Sequence, residues 1–178
     1  MNFLGTFGNG LALLRAYWYF RKATSLGARV RVWGRPVVKN YGGQLRISDR
    51  VRLVSTIATT ELVAAGGLLE IGQGAFINYG CSISANAKVV IGPNCNIGTY
   101  CIMMDNDFHR IEPERRHERP ESAPIILEEN VWLGARVIVL RGVTIGAGSV
   151  IGAGSVVTKN IPPRSVAVGL PAKVIRQI

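Results

Sequence analysis

The chain has two histidines, His109 and His117, and imidazole is the side chain best placed to take up and return a proton near neutral pH. His109 stands in Asp105-Asn106-Asp107-Phe108-His109-Arg110, with two carboxylates within four residues. A carboxylate on one ring nitrogen fixes the tautomer and leaves the other free to accept a proton. Asp105 and Asp107 are therefore candidates to orient the ring or to bind the hydroxyls of a substrate, and Arg110 is a candidate substrate contact beside them. His117 lies among Arg115, Arg116 and Arg119 and reads as a solvated residue. His109 could exchange a proton with a substrate, with a solvated loop histidine as its alternative.

A beat of six residues must position these groups. From Leu127 one register holds Leu127, Leu133, Val139, Ile145, Ile151 and Val157. Four residues after the first five stand Val131, Val137, Val143, Ser149 and Ser155. A large aliphatic at one position and a compact residue four later fits neither helical periodicity nor simple strand alternation. It predicts an all-β solenoid of stacked coils, each pointing one aliphatic per hexad into a narrow interior. The same beat covers Ile71/Ala75, Ile77/Cys81, Ile83/Ala87, Ile91/Cys95 and Ile97/Cys101, with two extra residues before Ile91. The three cysteines occupy the compact slot, so they read as small buried residues rather than as a disulfide framework. Met103 should open the next hexad, but a charged, aperiodic stretch follows, predicted as a loop over 104–124. A long loop thrown out of a regular stack is a place to look for function.

Upstream the pattern is looser. Ile47/Val51 and Leu53/Ile57 show the same spacing, while 56–69 reads as an edge strand or a coil with an insertion. Residues from about Gly8 to Leu26 read as a helix with Leu11, Leu14, Trp18 and Leu26 near helical spacing. Such a helix would cap the solenoid, as these stacks require. It would also suit a membrane interface, with Tyr17, Trp18, Tyr19 and Phe20 near lipid and arginines at the headgroups. The expected organisation is a cap over 1–29, a solenoid over 30–178, and a tail over 158–178 in which Pro162 and Pro163 end the ladder.

The chain has 178 residues, of which 48% are hydrophobic and 18% charged, which excludes a disordered chain. Lys and Arg number 21 against 11 Asp and Glu, a net charge of +10. An anionic cosubstrate or an anionic membrane surface would account for that excess. Nucleic acid is not expected as a partner, because no basic run or nucleic-acid motif is present. The apolar segment from Leu11 to Phe20 is broken by Arg15 and lacks a cleavage site, so the expectation is a cytoplasmic protein, peripheral at most.

Three stretches carry a family resemblance: Asn130-Val131-Trp132-Leu133-Gly134, Gly142 through Pro163, and Gly169-Leu170-Pro171-Ala172. With the hexads and the histidine loop, the chain resembles the hexapeptide-repeat acyltransferases, in particular the galactoside, maltose and exopolysaccharide O-acetyltransferases. The resemblance implies a left-handed parallel β-helix, although parallel crossovers are normally right-handed. It implies a homotrimer with sites between subunits, acetyl-coenzyme A as cosubstrate, no metal, and a saccharide acceptor. It further implies that His109 is the catalytic base and that Asn78 lies at the active site, either binding the acceptor or donating to developing negative charge. Tyr79 beside it is a candidate acceptor contact. Trp132, pointing outward, would wall the acceptor or the pantetheine arm. Gly134, Ala135 and Gly152 would let the cosubstrate approach the backbone, and Lys159, Lys173 and Arg176 would sit near its nucleotide. N-acetylation of an amino sugar, a zinc enzyme of the carbonic-anhydrase-like group and a non-catalytic structural trimer are the competing readings.

Overall fold

A computed structural model describes residues 3–178, with side chains from Gly10 onward. The chain opens with helix α1 (Phe3–Tyr19) and then winds into a three-faced solenoid. Coil one contributes β1 (Ser25–Leu26), β2 (Arg31–Gly34) and β3 (Val37–Asn40); coil two β4 (Gln44–Ile47), β5 (Arg52–Ser55) and β6 (Glu61–Ala64). Coil three contributes β7 (Leu68–Ile71), β8 (Phe76–Ile77) and β9 (Ser82–Ala85); coil four β10 (Lys88–Ile91), β11 (Asn96–Ile97) and β12 (Ile102–Met104). Coil five follows the long loop with β13 (Ile125–Leu127), β14 (Trp132–Leu133) and β15 (Ile138–Val139). Coil six holds β16 (Thr144–Ile145), β17 (Val150–Ile151) and β18 (Val156–Val157), and β19 (Ser165–Gly169) and β20 (Ala172–Gln177) close the chain.

Within each coil the first strand joins one sheet, the second another and the third a third, and all pairings between coils are parallel. The hexad aliphatics Leu127, Leu133, Val139, Ile145, Ile151 and Val157 are all essentially inaccessible, as are the compact residues four positions on. Burying each such side chain contributes roughly 1.5–3 kcal/mol, so the interior is held by a column of small equal gains. The three cysteines are free and buried in that column. Each donates its S–H to a carbonyl of the following coil: Cys81 to Gly98, Cys95 to Glu128 and Cys101 to Gly134, at 3.1, 3.0 and 3.2 Å. Burial pushes the Cys95 thiol up to about 11, and the Cys101 side chain together with burial pushes Cys81 higher still, so both are inert neutral residues.

Five details depart from the sequence reading. Ala87, expected in the compact slot after Ile83, is exposed at a corner, and Ala85 and Val89 on either side of it are buried. The helix stops at Tyr19, and Leu26 already belongs to the solenoid, paired with Ile47. The helix does pack against the end of the stack, but through Ala12, Ala16 and the following Phe20, whereas Leu11, Leu14, Tyr17 and Trp18 are exposed. Small alanines allow the helix backbone to approach β2, so the bulky stripe is left outside. Met1 and Asn2 of the expected 1–29 cap lie outside the described residues. Ile57 is 74% exposed, because an insertion ejects it and Thr60 takes the buried slot, donating to the Val54 carbonyl at 2.9 Å. Finally, the ladder does not end at the prolines. Ile161 still bridges to Ile145 and β19 still pairs with β17; the stack ends where β20 turns back antiparallel along β19. Among the described residues no helix is long and apolar enough to cross a membrane.

Candidate active site

The ejected loop runs from Asp105 to Pro124, at the edge where the third face passes to the first. Its base is held by buried polar groups. Asp105 is wholly buried and accepts the backbone N–H groups of Asn86, Ala87 and Lys88 at 2.7, 2.7 and 2.6 Å. Asn106, also buried, donates to the Pro120 carbonyl and the Ser122 hydroxyl, both at 2.8 Å, and accepts from Phe108 N–H at 2.6 Å. These bonds tie the outgoing stem to the returning one and turn Phe108 into the left-handed region, φ 62°. Arg119 lies over the Phe108 ring at 5.8 Å.

On this base His109 is exposed, and its Nδ1 lies 2.9 Å from the Arg116 carbonyl oxygen. A carbonyl only accepts, so Nδ1 carries the proton in that bond and Nε2 of the neutral ring keeps a free lone pair. The ring is thus oriented by a backbone carbonyl and not by either aspartate. Asp105 is fully occupied inside the stack, which removes it from the expected acceptor contacts. Asp107 pairs through its side chain with Arg141 on the next coil, and only its backbone oxygen reaches His109, accepting its N–H at 2.7 Å. Arg110 is paired with Glu118 at 3.0 Å, and Glu118 also holds Arg115 at 2.7 Å. Hydrogen bonding to Arg115, with Arg110 adding to it, holds the Glu118 carboxyl below its ordinary range. His117 is exposed.

The other candidates gather on the second face. There an open groove of about 520 Å³ is lined by Phe76, Asn78, Asn96, Asn130, Trp132 and Val150, among others. Phe76, Asn96, Trp132 and Val150 are successive rungs of one outward row. Trp132 is 55% exposed, in accord with its outward position. Asn78 sits where β8 turns toward the third face; its Oδ1 accepts the Tyr79 N–H at 2.9 Å, which leaves the side-chain NH₂ as a donor. Tyr79 packs edge-on against Tyr100, ring centroids 5.7 Å apart. Lys173 and Arg176 lie on β20 and extend the same sheet. Lys159, by contrast, follows β18 at the edge that carries the histidine loop.

Gly134 and Gly152 have a different reason to be glycine from the one expected. A Cβ on Gly134 would lie 2.7 Å from the Ala153 nitrogen, and one on Gly152 would lie 2.6 Å from a Val168 methyl. Close packing between coils explains both. Ala135 is half-buried at the same edge, its carbonyl accepting the Gly154 N–H at 2.9 Å. None of the three lines the groove. Sequence reasoning missed Asn106, Arg141 and the Arg116 carbonyl. Asn106 carried only the general signal of its type, since Asn in a loop favours side-chain bonds to the backbone two residues on. The carbonyl had none.

Within one chain, then, His109 and Lys159 occupy one edge of the prism, while Asn78, Trp132, Lys173 and Arg176 occupy another face. Residues 124–159 match the family model described as the hexapeptide repeat of succinyl-transferase. The galactoside O-acetyltransferase of Escherichia coli is 41% identical over 114 residues, covering 64% of this chain and 56% of the relative. A solved galactoside acetyltransferase in complex with coenzyme A superposes with a TM-score of 0.67 and 31% identity, covering 92% of this chain and 70% of that one. A hexapeptide-repeat acetyltransferase from Vibrio cholerae, complexed with acetyl-coenzyme A, gives 0.66 and 26% over 92% and 76% of the two chains. The chain belongs to the hexapeptide-repeat acyltransferase family. It spans about half the length of the curated relatives it matches, 53% and 56% for two of them.

Proposed function

We propose that the chain is an acetyl-coenzyme A-dependent O-acetyltransferase of a saccharide hydroxyl, active as a homotrimer whose sites lie between subunits. The observation that carries this reading is the His109 geometry: an exposed imidazole whose Nδ1–H is anchored on the Arg116 carbonyl, leaving Nε2 as a base. Nε2 takes the proton of the acceptor hydroxyl as that oxygen attacks the thioester carbonyl. The Asn78 NH₂ donates to the oxyanion that develops. Collapse expels the coenzyme A thiolate, which recovers the proton from the imidazolium, so the products are an acetyl ester and free thiol.

The trimer follows from the division of the site. A three-fold axis parallel to the stack preserves height. Asn78 belongs to coil three and the His109 loop leaves coil four, one strand spacing of about 4.8 Å away. A neighbour's loop-bearing edge laid on the second face brings His109 to Asn78 and Trp132 and brings Lys159 toward Lys173 and Arg176. Trp132 then walls the pantetheine arm, and the three cations face the nucleotide phosphates. Oxygen rather than nitrogen as the acceptor rests on the galactoside relative.

Thiol release from acetyl-coenzyme A against a panel of sugars, amino sugars and nucleotide- and lipid-linked glycans tests the activity. His109→Ala is expected to lower turnover by about 10²–10⁴-fold with the oligomer intact. Full activity in that variant, or release with no acceptor in the panel, removes the mechanism. Peripheral contact with an anionic membrane belongs to the same reading, supported by exposed Leu11, Leu14, Tyr17 and Trp18 on α1 with Arg21 stacked over Trp18 at 4.6 Å. Cosedimentation with acidic-lipid vesicles checks it; equal, negligible binding to acidic and neutral vesicles ends it.

A further inference from the structure

The outward row that holds Phe76, Asn96 and Trp132 continues downward to Arg52 and Arg31 in the first two coils. At the adjoining edge, where the first face passes to the second, the chain turns through the left-handed region in every coil. The residues there are Arg29, Arg50, Gly74, Asn94, Asn130, Gly148 and, before β19, Arg164, with φ between 54° and 72°. Gly and Asn adopt this conformation readily and Arg does not. Three arginines therefore stand at positions where local backbone preference favours another residue, and two of them, Arg29 and Arg50, are neighbours in the stack.

Arg29, Arg31, Arg50 and Arg52 together line one recess of about 360 Å³. Among the described residues none of the four forms an ion pair with a carboxylate. The nearest acid in sequence, Asp49, accepts the Ala28 backbone N–H through Oδ1 at 2.8 Å. Arg31 Nε is buried without a hydrogen-bond partner, and Arg52 is pinned over the Phe76 ring at 5.0 Å. Four arginines around one recess without a counter-charge repel one another, and a guanidinium presents a fork suited to phosphate oxygens. A compact multivalent anion fits such a recess better than single charges spaced along a polymer.

We propose that this recess binds the diphosphate of an activated saccharide acceptor, its sugar extending along the row past Phe76 toward Asn78 and Trp132. The inference rests on the acetyltransferase reading for the direction of the acceptor. It leaves coenzyme A at the opposite end of the same face, near Lys173 and Arg176. The row from Arg31 to Arg176 spans seven rungs, about 34 Å at 4.8 Å per strand, which leaves room for both.

Isothermal titration of inorganic pyrophosphate into the full chain, at constant ionic strength and with coenzyme A saturating, tests the proposal. The Arg29→Asn/Arg50→Asn double variant is suited to it, because Asn94 and Asn130 already take the same backbone conformation. Arg52→Gln is a second variant, in a strand. Both are expected to weaken pyrophosphate binding at least tenfold and to leave the coenzyme A dissociation constant unchanged. Equal pyrophosphate affinity in wild type and variants overturns the proposal. So does a parallel loss of coenzyme A affinity, or pyrophosphate binding that saturating coenzyme A abolishes, since either assigns the recess to the cosubstrate. A uridine-diphosphate sugar and a short prenyl-diphosphate sugar, each run as competitor, identify which carrier supplies the diphosphate; failure of both to displace pyrophosphate also overturns it. The titration reads binding without turnover, so its failure is distinguishable from failure of the transferase reading.

Discussion

Between Leu127 and Val157 the inward positions are aliphatic or small and shielded from water, while at the root of the Asp105–Pro124 loop the buried groups are a carboxylate and an amide. The first region is held by repetition. Each coil buries the same kind of side chain at the same register, so its neighbours specify its place and no single residue is unique. The second region has no repeat to lean on. Its conformation comes from six hydrogen bonds made by the side-chain oxygens of Asp105 and the Asn106 amide NH₂. A stack built by non-directional burial sets height and direction well but leaves every outward residue free. A loop built by directional bonds places one imidazole in one orientation. The molecule uses the first to set height along the stack and the second to orient a single side chain.

The contrast can be broken from the stack side. Leu133 is wholly buried in the same strand that carries exposed Trp132. Leu133→Ala leaves a cavity that parallel strands on either side cannot fill, at a cost of about 2–5 kcal/mol. Thermal or urea unfolding reads the loss. The expected companion result is unaltered turnover per folded molecule at a permissive temperature, since the loop bonds lie elsewhere. A variant of normal stability would mean that the column is not closely packed there.

The two regions also differ in how far the sequence revealed them. The hexad beat named most of the buried positions from Ile71 to Val157, because a period of six is a direct image of one short strand and its corner; Ala87 is the exception, exposed between buried Ala85 and Val89. The beat missed the insertion that ejects Ile57 and the continuation of the ladder through Ile161 and β19, where the period breaks but burial does not. The spacing of Leu11, Leu14 and Trp18 pointed to the helix but not to the face that meets the stack, where close approach to β2 is made by Ala12 and Ala16. For the site, residue type was informative about His109 and Trp132 as candidates, since histidine is scarce and an outward Trp is conspicuous, whereas Asn78 came from the family resemblance alone. Type said nothing about partners. Asp105 and Asp107 were equally eligible to orient the imidazole, and the Arg116 carbonyl that does so is a group every residue carries. The arginine recess was hidden for a similar reason: Arg29 and Arg31 are 21 residues from Arg50 and Arg52, and only the coil length superimposes them.

The loop side gives the smaller change in stability and the sharper change in chemistry. Oδ2 of Asp105 accepts from both Ala87 and Lys88, and Oδ1 accepts from Asn86. An amide has one oxygen, so in Asp105→Asn at least one buried N–H faces an NH₂ whichever way the group is turned. The cost is about 2 kcal/mol, less than for Leu133→Ala, because the root of the loop can open slightly to water. Asp105 lies four residues before His109 and touches no part of the groove, so it acts as a positioning residue. The expected signature is a fall in kcat of tenfold or more, with the KM for acetyl-coenzyme A unchanged, since the second-face groove is intact. Asp105→Glu, which restores both oxygens on a longer arm, should recover part of kcat. A fall in stability with no change in kcat would show that the Arg116 carbonyl and Asn106 aim the imidazole without help from the root.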